Sequence, residues 1–231
     1  MQRIRAVAVF LFVSLALAIP AFWAHLRLGR IALHAAVNEY NWPWADVFFK
    51  YFTNLGDGWT VVVVALIVLA LHTWRSFFMV AISSILSATI TQFLKRSVFS
   101  DNDRPSMFKD HWPDLHWVPG VELHSHFSFP SGHSTAAFSM CLALVVIIGK
   151  QGWAAFLAAV AIMLGFSRVY LSQHFTQDVF AGAVVGIACS LIVYYALYQG
   201  KWAHREGFDR KPFRKGRSAN VQALSSIHGS L

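Results

Sequence analysis

The chain has 231 residues, of which 56% are hydrophobic and only 13% are charged. Soluble domains carry about a quarter charged residues, so the composition excludes an ordinary soluble protein and indicates a membrane protein of one domain. A formal charge of +8 would suggest nucleic-acid binding in a soluble chain. In a membrane protein a cytoplasmic bias of basic residues explains the excess, so we expect no nucleic acid partner.

Six apolar stretches are each long enough to cross a bilayer as a helix, which takes about 20 residues. Their charges stand at the ends, and lipid cannot satisfy an open backbone, so each must be helical. The predicted fold is therefore all-α, an integral membrane bundle of six transmembrane helices. The stretches cover residues 5–25, 58–74, 76–95, 131–149, 152–171 and 178–199.

The first stretch has two interpretations. Arg3 and Arg5 precede it, and Ala18 and Ala21 lie near its end, which is also typical of a cleavable signal peptide. The apolar run continues through residues 22–23 and is long enough to span the bilayer, which favours a retained helix.

The distribution of Lys and Arg predicts the orientation. The links near residues 75 and 150 and the segment 200–231 are basic, so both termini are predicted to be cytoplasmic. Segment 200–231 is expected to be a mobile tail, either solvated or lying on anionic lipid head groups. The external segments are then 26–57, 96–130 and 172–177.

Segment 26–57 is too polar to span a membrane, but Phe48, Phe49 and Phe52 recur at helical spacing. It is either an interfacial helix or a connector packed on the bundle, and both interpretations stay open. Three parts are therefore expected. They are a first helix with an external interfacial segment (1–57), a catalytic helical bundle (58–199) and a basic cytoplasmic tail (200–231).

The first polar cluster ends the third apolar stretch. Residues spaced by four form one polar stripe on a helix, which turns Lys95 into the bundle in preference to Arg96. Arg104 follows in the loop. The alternative is that Lys95 and Arg96 are ordinary interfacial anchors. The stripe consists of Ser83, Ser87, Thr91 and Lys95.

The second cluster is FSFPSGHSTAAF, residues 127–138, which opens the fourth stretch. Pro130 suits a first helical turn, where its missing N–H costs nothing. The amides of Ser131, Gly132 and His133 would then point out of the helix end, a favourable place for an anion. The alternative is an ordinary helix start with a coincidental histidine.

The third cluster is SRVYLSQHFTQD, residues 167–178, between the last two stretches. His174 and Asp178 are four residues apart, so on a helix they would share a face. Asp178 is expected to hold the tautomer of His174 and to favour a positively charged ring. Arg168 adds a fork of donors suited to phosphate oxygens.

Together the clusters predict a phosphate site with three cations, a helix amino terminus and two histidines. We expect no metal or other cofactor, because no Cys/His set has metal-ligand spacing and the cations would repel a divalent ion. Cys141 and Cys189 are interpreted as small core residues. Four loop histidines are a weaker lead to zinc and are better explained as polar interface residues: His111, His116, His124 and His126.

These motifs resemble those of the type 2 phosphatidic acid phosphatase (PAP2) family, within the vanadium haloperoxidase superfamily. The family pattern is K-x6-RP, PSGH and SR-x5-H-x3-D, and the second and third parts are complete at residues 130–133 and 167–178. The first part departs, because eight residues separate Lys95 from Arg104 and seven separate Arg96 from it. The polar stripe favours Lys95, with two extra residues bulging in the loop.

The resemblance, which covers residues 58–199, implies a PAP2/haloperoxidase-like core and a role for each matching residue. His174 would be the nucleophile that becomes a phosphohistidine, Asp178 would orient it, and His133 would be the general acid. Asp101 and Asp103 should face away from the phosphate or pair with basic neighbours. The phosphate oxygens would be held by Lys95, Arg104, Ser131, the Gly132 amide and Arg168.

The resemblance further implies hydrolysis of a phosphomonoester or pyrophosphate on a lipid, such as undecaprenyl diphosphate, phosphatidylglycerophosphate, phosphatidate or lipid A. The expected setting is the external face of a bacterial inner membrane, and the expected partners are the substrate lipid and the bilayer. The oligomeric state stays open.

Three other functions are alternatives to a phosphatase at the same site. A lipid-to-lipid phosphotransferase is compatible with the motifs. A non-catalytic carrier or channel component is disfavoured because His133, His174, Asp178 and Arg168 are all present. A haloperoxidase that binds vanadate in this pocket is disfavoured by the predicted membrane helices.

Overall fold

The computed structural model describes residues 1–111 and 114–213, and within these ranges the chain is helical and has no β-strand. The all-α prediction is therefore confirmed for this part of the chain. Its α-helices are α1 (Gln2–Asn38), α2 (Pro43–Phe52), α3 (Gly58–Leu71), α4 (Trp74–Phe93), α5 (Gly132–Ile148), α6 (Gln151–Tyr170) and α7 (Thr176–Tyr194). A π-helical turn extends α4 over Leu94–Val98 and α7 over Tyr195–Gln199, and short 3₁₀ turns cover Thr53–Gly56, Pro105–His111 and Glu206–Asp209.

Four of these helices are long and apolar enough to cross a membrane by length and composition: α1, α4, α6 and α7, the second and last with their π turns. The pair α2 and α3 is bent by 56° and would make a fifth span if it counts as one. Helix α5 has 17 residues, fewer than the roughly 20 that a bilayer requires. The chain is thus a multi-pass membrane protein, but the predicted number of six transmembrane helices is not confirmed.

Helix α1 is longer than predicted, because it continues past residue 25 to Asn38 with a break at Gly29, where φ is +74°. Helix α2 lies in segment 26–57 and agrees in part with both interpretations of that segment, the interfacial helix and the connector packed on the bundle. The ring of Phe49 packs on that of Tyr170 of α6, with centroids 4.6 Å apart, as a connector on the bundle requires. Phe48 stays 41% exposed, as an interfacial helix requires.

Helix α5 is the centre of the bundle, because it packs against α4, α6 and α7 and also against α1. The approach of α7 is close enough to need glycine. A Cβ atom on Gly186 would lie 2.5 Å from the carbonyl oxygen of Thr135 and 3.0 Å from the amide of Ser139, and one on Gly182 would collide with the carbonyl of Ser131. The amino termini of α5 and α7 are therefore pressed together at one end of the bundle.

At the opposite end of the bundle, the segment that follows α7 packs against α4. Arg75, at the start of α4, is buried and donates to both carboxylate oxygens of Asp209, at 2.7 and 2.8 Å. It also donates to the carbonyls of Leu197, Trp202 and Arg205. The hydrogen bonds from Arg75 lower the pKa of Asp209. Residues 202–210 thus contact the bundle, which differs from the expectation of a mobile tail from residue 200, while residues 214–231 lie outside the described ranges.

The helix contact predicts a matched pair of glycine substitutions. Gly186→Ala should lower the free energy of unfolding by about 1–3 kcal/mol, because the new methyl group overpacks the α5 contact. Gly152→Ala, where a Cβ atom has no described atom within 4 Å, should leave stability unchanged or raise it by up to about 1 kcal/mol. Denaturation midpoints of the two purified proteins in detergent test this, and equal midpoints would contradict it.

Candidate active site

The polar stripe of α4 faces the interior of the bundle, as predicted. Arg96 is exposed, whereas the four stripe residues are at most 8% exposed. The π turn Leu94–Val98 holds one more residue per turn than an α-helix and so takes up part of the longer spacing before Arg104. Arg104 is itself only 9% exposed. The buried stripe residues are Ser83, Ser87, Thr91 and Lys95.

Helix α5 begins at Gly132, with Ser131 as its N-cap, so Pro130 lies before the helix and not in its first turn as predicted. The amide of Ser131 does not point out of the helix end, because it donates to the carbonyl oxygen of Asp178 at 2.9 Å. The first-turn amides of Gly132 and His133 still point out of the helix end. A Cβ atom on Gly132 would meet no described atom within 4 Å, so there is open space beside this end.

His174 and Asp178 are neighbours, but not on one helical face as predicted. Helix α7 begins at Thr176, and the preceding turn folds back so that His174 Nδ1 lies 3.4 Å from Asp178 Oδ2. The same oxygen accepts from the amide of Phe175 at 2.9 Å and from Ser128 Oγ at 2.5 Å. The two side chains are 2% and 1% exposed, so the pair is removed from water.

The pKa of His174 lies well below its ordinary value of 6.5, first because the ring is buried and then because several cations act on it. A lowered pKa favours the neutral ring near pH 7, which is opposite to the expectation that Asp178 would favour a positively charged ring. With its proton on Nδ1, toward Asp178, the neutral ring keeps the lone pair of Nε2. The groups that act on the ring are Arg104, Arg168, Lys95 and His133, so residues of all three motifs meet here.

Two buried arginines stand beside this pair. Arg104 donates from Nε to the carbonyl of His126 at 3.0 Å, and burial lowers its pKa. Arg168 donates from Nη1 to Thr53 Oγ1 at 2.9 Å. Both guanidinium groups also reach Gln173, whose side-chain oxygen lies 3.5 Å from Arg104 Nη1 and 3.3 Å from Arg168 Nη2. Arginine keeps its charge even when buried, so the site holds a concentration of positive charge suited to an oxyanion.

A cavity of about 310 Å³ opens next to Arg168 and Gln173. Its other walls come from the end of α2 with the turn after it and from the loop before α5. Parts of the predicted external segments 26–57 and 96–130 therefore lie beside the site. These walls include Lys50, Tyr51, Thr53, Asn54, Glu122 and His124.

Several residues at the site were missed by the sequence analysis. Ser128 lies two residues before PSGH, and Gln173 lies inside the third motif, so their positions were a signal that could have been used. Thr53 lies far away in sequence and carried no signal. Helix α1 contributes His34, whose Nε2 lies 3.1 Å from Ser172 Oγ, and Asn38, whose amide lies 3.5 Å from the same oxygen.

The acidic and histidine residues of the long loop lie in pairs. Asp103 Oδ1 is 2.9 Å from His126 Nδ1, and Asp101 accepts from Ser100, so the expectation that these acids pair with neighbours is met for Asp103. His116 lies 2.8 Å from Asp46 and His124 3.9 Å from Glu122. Three loop histidines thus face three different carboxylates, as polar interface residues do, and the side chain of His111 is outside the described part.

The two cysteines are free and buried, as expected of small core residues.

Known proteins are similar to this chain in sequence and in fold. The chain is 35% identical to a lipid A 1-phosphatase of Rhizobium johnstonii over 109 residues, which is 47% of this chain and 42% of that protein. The crystal structure of Aquifex aeolicus LpxE superposes with a TM-score of 0.62 at 27% identity, covering 71% of this chain and 93% of that one.

A PAP2-type phosphatidylglycerolphosphate phosphatase from Bacillus subtilis shares the fold. Its TM-score is 0.55 at 23% identity, over 86% of this chain and 98% of that one. The model of the PAP2 superfamily matches residues 72–202, which is more than half of the chain and includes all three motifs. This chain therefore belongs to the PAP2 superfamily.

Proposed function

We propose that the protein is a membrane lipid phosphatase that hydrolyses a phosphomonoester or pyrophosphate on a lipid through a phosphohistidine. One observation carries the proposal. A buried, neutral His174 contacts the carboxylate of Asp178 and lies within electrostatic reach of three buried cations. Phosphoryl transfer depends mainly on positioning and on neutralising the oxygens of the phosphoryl group, which these groups can do.

The proposed reaction has two steps. Nε2 of His174 attacks phosphorus and forms an N–P bond while the bond from phosphorus to the lipid oxygen breaks. Once the negative charge of the bound phosphate offsets the nearby cations, His133 gives a proton to that leaving oxygen, and Asp178 stabilises the positive charge on the ring of His174. Water then forms a P–O bond while the N–P bond breaks, its proton returns to His133, and inorganic phosphate and free His174 result. The phosphate oxygens are held by Lys95, Arg104, Arg168, Ser131 and the Gly132 amide.

We further propose that the chain crosses a bacterial inner membrane six times, with both termini cytoplasmic and the site on the external side. In this topology the short helix α5 crosses the membrane and is surrounded by the other helices. The names of relatives, which include lipid A phosphatases, an undecaprenyl-diphosphatase and phosphatidylglycerophosphatase B, indicate the lipids to test. The lipid-to-lipid phosphotransferase is the second candidate, because it needs the same phosphohistidine.

The first test is the nucleophile. The purified protein in detergent should release phosphate from at least one of these lipids in the presence of a chelator, and orthovanadate should inhibit it. His174→Ala should lower kcat by about 10³-fold or more, because the N–P bond can no longer form. His72→Ala, which changes an exposed histidine outside the motifs, is the matched control.

Full activity of the His174→Ala protein would contradict the proposed phosphohistidine mechanism. Phosphate release that disappears in favour of a phosphorylated product when an acceptor lipid is added would favour the phosphotransferase.

A second test concerns the first cation. Lys95→Ala should lower kcat/KM by about 10²-fold, because a buried charge that faces the phosphate is lost. Arg96→Ala should change kcat/KM by less than about threefold, because an exposed charge contributes little. Steady-state kinetics on the same lipid compare the two. A larger effect of Arg96→Ala would assign the cation to Arg96.

A third test concerns the neutral ring of His174, on which the attack depends. The unfolded chain binds a proton at this histidine below about pH 6.5, while the folded protein does not, because its pKa is lowered. Stability should therefore fall as the pH drops below 6.5, by up to about 1.4 kcal/mol per pH unit from this group alone. The groups that face the ring and shape this effect are Lys95, Arg104, His133, Arg168 and Asp178.

Denaturation midpoints between pH 8 and pH 5 measure this effect. His174→Gln should reduce the acid dependence, whereas His204→Gln, which changes an exposed histidine, should retain it. Equal acid dependence in the wild type and the His174→Gln protein would show that His174 is not held neutral.

A further inference from the structure

Gln173 is a buried polar residue at a position of the third motif that the family pattern leaves unspecified. It lies between the arginine and the histidine of the third motif and is 3% exposed. Its side-chain oxygen lies 3.3 Å from Arg168 Nη2 and 3.5 Å from Arg104 Nη1, and its backbone oxygen lies 3.3 Å from the same Arg104 atom. One residue therefore contacts both guanidinium groups.

The orientation of the Gln173 amide follows from its other contact. Nε2 donates to the carbonyl oxygen of Glu122 at 2.7 Å, so the amide nitrogen faces the loop and the oxygen must face the arginines. Arginine has only donors, so a reversed amide would oppose N–H groups to N–H groups on one side and two oxygens on the other. The loop before α5 thus fixes the acceptor in place.

The backbone of Gln173 belongs to the same arrangement. Its amide donates to the carbonyl oxygen of Arg168 at 2.9 Å, and the amide of the next residue, His174, donates to the same oxygen at 3.1 Å. The position of the proposed nucleophile is therefore coupled to Arg168 through Gln173. The side chain also lines the 310 Å³ cavity beside Arg168.

The chemical type of the side chain matters here. Two buried guanidinium groups repel each other, and an acceptor between them reduces that cost. A carboxylate would do so more strongly, but it would neutralise the charges that a phosphate needs and would repel the phosphate itself. A neutral amide orients both groups and leaves their charge for the substrate.

We propose that Gln173 is a positioning residue that holds Arg104 and Arg168 together as one phosphate-binding pair without neutralising them. This inference rests on the proposed function, since it concerns the same phosphate. Gln173 itself is not assigned a contact with the reacting atoms; it acts through the two arginines.

The experiment compares Gln173→Glu, Gln173→Met and the wild type. The readouts are the inhibition constant of orthovanadate, the KM and kcat for the lipid that the wild type hydrolyses, and the denaturation midpoint. Methionine has a similar volume but no strong acceptor, whereas glutamate places a charge where the amide was. Gln151→Glu, an exposed residue at the far end of α6 from Arg168, is the matched charge control.

Gln173→Met should raise the vanadate inhibition constant and KM by about tenfold, equivalent to about 1.4 kcal/mol, the scale of a hydrogen bond to a charged group. Gln173→Glu should raise both by more than Gln173→Met does, because it adds repulsion to the phosphate. Changes in kcat should be smaller than those in KM. Gln151→Glu should leave all four quantities as in the wild type.

A purely structural role would lower the denaturation midpoint and leave the vanadate constant of the folded protein unchanged. That result in Gln173→Met, or in Gln173→Glu if only that variant folds, would overturn the inference. If both variants fail to yield folded protein, Gln173 is needed for the fold itself and the inference is likewise rejected. A wild type that neither releases phosphate nor binds vanadate would overturn the proposed function, which is a different outcome.

Discussion

The carboxylate of Asp178 is the group on which the arrangement at this end of the bundle depends. A buried carboxylate is costly unless it is hydrogen-bonded and paired. Oδ2 accepts from Ser128 and from the amide of Phe175 and contacts His174, while the backbone oxygen of Asp178 accepts from Ser131. One residue thus joins the start of α7, the turn before it, the loop before α5 and the start of α5.

The charge balance around Asp178 explains why the site suits an anion. Lys95, Arg104 and Arg168 are all buried at this end, and the carboxylates that act on them, buried Asp178 and exposed Asp57, are too few to neutralise three cations. Burial first, and then the excess positive charge, lowers the pKa of His174, because protonating the ring would add a fourth charge in a region shielded from water. A phosphate would relieve the excess, and the same excess would stabilise its oxygens. The cations that help burial to lower the pKa of His174 would therefore also hold the phosphate of the proposed substrate.

Parts of the chain before the family match support this arrangement. His34 and Asn38 of α1 contact Ser172 in the turn that carries His174, and Thr53 contacts Arg168. These residues come from elements with no motif, and their side chains contact the turn before His174 and the motif residue Arg168. Steric constraint acts alongside electrostatics, since Gly182 and Gly186 allow α7 to approach α5 closely enough for Asp178 to reach Ser131. The site therefore needs the helices on every side of it.

The sequence by itself determined the helical class and the polar stripe that turns Lys95 inward, because apolar length and four-residue spacing are local properties. The meeting of the three motifs was expected from their common predicted membrane face and from the family resemblance. The sequence did not determine that α1 runs to Asn38, that α5 is shorter than a typical span or that Trp202, Arg205 and Asp209 contact Arg75. The neutral state of His174, the backbone link from Ser131 to Asp178 and the place of Gln173 between two arginines were decided only by the tertiary structure. Each of these depends on burial and on contacts between residues far apart in the chain, which no local pattern records.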